Sequence, residues 1–157
     1  MQTVGALVPP VLAALTVPLV FLIARTYVSQ WLAVLACAVF AVLPYHLQVS
    51  VLGRTDYHVA VVLGACALFV SMIRMSQNHT ASGHAGWAVA AGVCLGFLMA
   101  LWMGSVIFVL ILVIHFTIAV PVSRGPSLNR ITLGGCILFA TAFFIMWPVV
   151  FLSLIHI

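Results

Sequence analysis

The residues best suited to chemistry lie together in Gly53-Arg54-Thr55-Asp56-Tyr57-His58. Asp56 is the only carboxylate side chain in the 157 residues. With His58 it offers an oxygen and a nitrogen donor two positions apart. In a regular helix that spacing turns the two side chains about 200° apart, so they could not share one ion. In an extended or capping segment it puts both on one face. Gly53 permits the sharp turn this requires. Mixed carboxylate and imidazole ligation suits manganese, magnesium or zinc. Two ligands do not complete a site, and this sequence holds no further acid. A second reading of Asp56 stays open: it caps the following helix, accepting its first free N–H groups, a contribution of about 0.5–2 kcal/mol. Arg54 would then pair loosely with it.

The remaining histidines are weaker candidates. His46 could approach Asp56 or stand as a satisfied interfacial histidine. His115 lies within an apolar run and is expected to bond a neighbouring helix. His79 and His84 fall in a polar connection. Asn78-His79-Thr80 fits the glycosylation pattern, but a cytoplasmic connection does not meet that machinery, and the match reads as chance. Cys37, Cys66, Cys94 and Cys136 lie deep in apolar stretches without a CxxC pair, as small buried hydrophobes would.

The elements that must position these residues are membrane spans. Hydrophobic residues make up 66% of the chain and charged residues 4%, against roughly 45–50% and 25% in soluble domains. Lysine and glutamate are absent. Such a chain can neither cover a soluble surface nor behave as a disordered segment. Arg25, Arg54, Arg74, Arg124 and Arg130 stand far apart, so no nucleic-acid patch forms despite a net charge of +4.

Crossing the hydrocarbon takes about 20 apolar residues as a helix. The pattern predicts six spans, near residues 4–24, 31–51, 58–74, 86–101, 104–120 and 131–152. Pro9, Pro10 and Pro18 predict a kinked or late-starting first helix. Residues 86–120 carry no charge and are too long for one ordinary span. They are divided at Trp102-Met103-Gly104, although one long tilted helix is the alternative. Alternating directions then place Arg25, Arg74, Arg124 and Arg130 on one side and Arg54 with Asp56 on the other. By the positive-inside rule the arginine-rich side is cytoplasmic, which puts Asp56 outside. Met1–Thr3 carries no basic side chain, so no cleavable signal peptide is expected.

Several motifs in order resemble the catalytic subunit of oligosaccharyltransferase. They are the proline-containing run from Leu7 to Pro18, then Ala24-Arg25, then an apolar helix ending at Leu43-Pro44. Gly53-Arg54-Thr55-Asp56-Tyr57-His58-Val59 is similar to the family's Gly-x-x-Asp-His-His-Val pattern. Gly92-x-x-x-Gly96, followed by Leu101-Trp102-Met103-Gly104, resembles its paired helices with a Trp-x-Gly break. The resemblance covers about Leu7 to Trp147. It implies an all-α, polytopic membrane protein: residues 1–152 as part of a GT-C-type glycosyltransferase membrane domain. It also implies that Asp56 and His58 are metal ligands, with Asp56 catalytic and the cofactor a divalent cation, Mn2+ or Mg2+. Tyr57 departs from the family's histidine and is given no ligand role.

The implied reaction moves an oligosaccharide from a polyprenyl (dolichyl) phosphate or diphosphate donor to Asn of an Asn-x-Ser/Thr acceptor polypeptide. It takes place at the extracytoplasmic face of the bilayer. The family's other acidic ligands and its Trp-Trp-Asp domain do not occur here, so the resemblance implies an internal fragment, inactive by itself. The tail, residues 153–157, looks like translated adapter read-through and is expected to be non-native. Two other classes stay open. One is another lipid-phosphate-sugar transferase, such as a protein mannosyltransferase or an aminoarabinose transferase. The other is a non-enzymatic membrane protein such as a transporter, although no inverted repeat is evident.

Overall fold

The computed structural model describes residues 2–51 and 57–155, with the side chains of residues 2–5, 126 and 153–155 left aside. These residues are helical almost throughout, and no strand occurs among them. The helices are α1 (Gln2–Tyr27), α2 (Gln30–Ala41), α3 (Pro44–Val49), α4 (His58–Gln77), α5 (Ala81–Leu101), α6 (Val106–Val122) and α7 (Pro126–Ile155). A single 3-10 turn, Met103–Ser105, lies between α5 and α6. Among the described residues, five helices are long and apolar enough to cross a membrane. The all-α polytopic class follows directly.

The five are α1, α4, α5, α6 (with the 3-10 turn) and α7. The stretch expected as the second span is in two pieces, α2 and α3, neither long enough alone. The break has a local cause. A proline disfavours helical backbone in the residue before it, and Leu43 is accordingly extended, at φ −58° and ψ 129°, ahead of Pro44. The prolines of α1 do not have this effect. The helix is continuous from Gln2 through Pro9, Pro10 and Pro18, so it does not start late.

The chain forms two compact units, Met1–Val70 and Ser71–Ile157. In the first, α2 packs on α1. Ala33 and Cys37, one turn apart on α2, are buried. The Cys37 thiol reaches the Val17 carbonyl of α1 at 3.6 Å. Thr16 is fully buried and returns its hydroxyl to the Leu12 carbonyl at 2.8 Å. Ala13 of α1, Val49 of α3 and Val59 of α4 form one buried cluster with Leu12 against it.

In the second unit α5 lies along α7. A Cβ added at Gly92 would meet the Leu138 carbonyl at 2.5 Å, and one at Gly96 would meet Ile145 Cβ at 2.8 Å. The two backbones therefore approach closely, as small residues allow between membrane helices. Nearer the N-terminal end of α5, His84 Nε2 lies 3.0 Å from the Arg130 carbonyl. The contacts advance together along both chains, so α5 and α7 are parallel, and α6 must run back between their ends. On the other side of α5, His84 meets Met75 of α4 and Cys94 bonds Ser71. That order is reversed, so α4 and α5 are antiparallel. The 21 residues of α5 rise about 31 Å, close to the hydrocarbon thickness of a bilayer, about 30 Å.

Candidate functional site

His58 is the first residue of α4 and is half-buried. Its ring stacks on Tyr57, with centroids 4.2 Å apart and planes inclined by 26°. The neighbouring Val59 is 1% exposed within the cluster formed with Ala13 and Val49. That cluster seats the beginning of α4 against α1 and α3, and so fixes where the His58 backbone stands. Asp56, Arg54 and Gly53 lie outside the described residues, so the Asp56–His58 pairing has no geometry here.

His46 sits on α3, one turn before Val49, and is 7% exposed. Its ring packs on Phe40 with centroids 4.4 Å apart. The Val49–Val59 contact thus brings together the two helices that carry His46 and His58. Among the described residues no three His, Cys, Asp or Glu side chains converge on one point. The donors that can be named, Asp56 and His58, are of the kind that a hard or borderline divalent cation accepts. They supply a minority of the six ligands that magnesium takes.

Other polar residues proved structural. Asn78 Oδ1 accepts from the Thr80 amide at 3.1 Å and from its hydroxyl at 2.8 Å. The Thr80 hydroxyl then caps α5 by accepting from the Gly83 amide at 3.2 Å. The Asn-His-Thr triplet is thus committed to starting a helix. His115 lies on an exposed face of α6, edge-on to Phe116 at 5.3 Å, rather than turned into a neighbouring helix. His84, expected in a loop, lies inside α5 and is 6% exposed. Its Nδ1 is 2.9 Å from the Met75 carbonyl and its Nε2 3.0 Å from the Arg130 carbonyl. A neutral ring has one N–H and donates to one of them; a doubly protonated ring donates to both. One imidazole therefore links α4, α5 and α7. Thr80, as the cap of α5, places His84 inside the helix, but no local sequence pattern marks its link to α4 and α7.

At the far end of α5, Trp102 is extended at φ −153° and ψ 123°, and the 3-10 turn follows. A Cβ at Gly104 would overlap the Trp102 indole, so a larger residue there would have to displace that ring. The Ser105 hydroxyl is buried and has no hydrogen-bond partner among the described residues.

A family model described as "Oligosaccharyl transferase STT3, N-terminal" matches residues 1–157. No curated protein and no solved structure matches the chain.

Proposed function

Since the chain belongs to the oligosaccharyl transferase STT3 family, we propose that it forms part of the membrane domain that transfers a lipid-linked oligosaccharide to asparagine. The whole-chain family match carries this reading. The position of the lone acid supports it: Asp56 precedes by two residues a histidine that opens a membrane helix.

The donor is a glycan on a polyprenyl phosphate or diphosphate, and the acceptor is the Asn of Asn-x-Ser/Thr. An amide nitrogen is a weak nucleophile, and the leaving group departs with negative charge. A divalent cation, Mn2+ or Mg2+, would offset that charge when bound. Asp56 and His58 would hold it, with acids supplied from outside these residues. The stacking of Tyr57 on His58 limits the directions in which the imidazole can point. The cluster of Ala13, Val49 and Val59 packs the start of α4 against α1 and α3. The apolar faces of the spans would lie along the polyprenyl tail.

With one carboxylate the chain alone is expected to transfer nothing. Purified chain, lipid-linked oligosaccharide, manganese and an Asn-x-Thr peptide provide the assay, read by mass spectrometry of the peptide. In the full-length enzyme containing this segment, Asp56→Ala should remove most transfer while the protein still inserts and resists protease as the parent does. Undiminished transfer by that variant would sink the assignment.

A further inference from the structure

The end of the second unit at which α4 finishes and α5 and α7 begin is rich in positive charge. Arg74 lies in the last turn of α4, Arg124 in the connection after α6, and Arg130 in the second turn of α7. All three are exposed. The His84 ring bridges the backbones at Met75 and Arg130, which are next to Arg74 and at Arg130 itself. Arg124 precedes the start of α7 by two residues, and Pro126 to Arg130 rises about 6 Å. The three guanidinium groups therefore crown one end of one helix bundle. No acid offsets them: the residues from 71 to 157 contain no Asp or Glu.

These helices are membrane spans, so their charged end lies at the depth of lipid headgroups. Guanidinium forks match phosphate oxygens two at a time. A leaflet of net negative charge attracts such residues further. We propose that this end of the bundle is a binding surface for anionic phospholipid headgroups, engaged by Arg74, Arg124 and Arg130 together. Phosphate from a lipid is favoured over free phosphate because its acyl chains also cover the exposed apolar flanks of α6, where Ile118 and Val122 are 61% and 76% exposed.

The test uses the chain in nanodiscs of equal phosphatidylcholine and phosphatidylglycerol, with the lipids retained on release counted by native mass spectrometry. Phosphatidylglycerol should be enriched among them. Each arginine removed should lower that enrichment about fivefold, the equivalent of roughly 1 kcal/mol per charge. R74Q/R124Q/R130Q should therefore lose it, and R74K/R124K/R130K should keep most of it. Arg124→Gln alone, in a connection rather than a helix, reports even if the triple variant fails to insert. Added inorganic phosphate should leave the ratio unchanged. Equal enrichment in Arg124→Gln and the parent overturns the proposal, as does full displacement by inorganic phosphate.

Discussion

Asp56 has two competing roles, and one substitution separates them. As a helix cap it could be replaced by asparagine almost silently, since asparagine caps as well as aspartate. As a metal ligand it could not, because the amide lacks the charge. In the full-length enzyme, Asp56→Asn is expected to need far more manganese for any residual transfer. Normal activity across a manganese titration would leave only the capping role. The candidate pair was legible in the sequence because a sole acid beside a histidine stands out in a chain so poor in charge. His84 was not legible. Its burial depends on α4 and α7, which lie 9 and 46 residues away, and no local pattern announces such a bridge. His84→Ala would remove the imidazole that links Met75 and Arg130, at about 0.5–1.5 kcal/mol for each hydrogen bond the ring donates. Gly134→Ala should act similarly, because its Cβ would sit 2.5 Å from His84 Nε2. Thermal unfolding of the two variants in one detergent checks this, with midpoints equal to the parent's counting against the bridge.

At the scale of elements the same residue type gave opposite outcomes. Pro44 divides α2 from α3, whereas α1 runs through Pro9, Pro10 and Pro18. Each proline removes one backbone hydrogen bond. In α1 the helix is unbroken where α2 packs along it, with the Cys37 thiol at the Val17 carbonyl just before Pro18. The sequence shows where a helix can break and does not show which breaks the packing will prevent. The glycines of α5 are similar. Gly92-x-x-x-Gly96 is plain in the sequence, but its partner is not, and the structure puts α7 there. Gly92→Leu and Gly96→Leu should each force α5 and α7 apart, at about 1–3 kcal/mol of overpacking. Gly86 provides the contrast within one helix. Nothing lies within 4 Å of a Cβ added there, so Gly86→Ala should be neutral or slightly stabilising through helix propensity. Thermal midpoints for the three variants test the packing: equal loss at Gly86 and Gly92 would contradict it.

For the whole molecule the open question is which face of the membrane carries Asp56. The parallel register of α5 and α7 bears on it, because it forces α6 to return across the bilayer. Arg74, Arg124 and Arg130 then share one end, and the turn at Trp102–Ser105 lies about 31 Å away along α5. The positive-inside rule assigns the arginine end to the cytoplasm. α4 ends there, so its beginning, with His58 and Asp56, should face outward. Two reporters decide the matter in a background with Cys37, Cys66, Cys94 and Cys136 replaced by alanine. Gln77→Cys lies at the arginine end of α4. Met103→Cys lies at the opposite turn, where Met103 is 89% exposed. In intact cells a membrane-impermeant maleimide should label Met103→Cys and spare Gln77→Cys until the membrane is opened. The reverse pattern would move the candidate site to the cytoplasmic face, away from the extracytoplasmic transfer reaction. Labelling of both in intact cells would instead mean that α5 does not cross, and that the split at Trp102 is not a turn between spans.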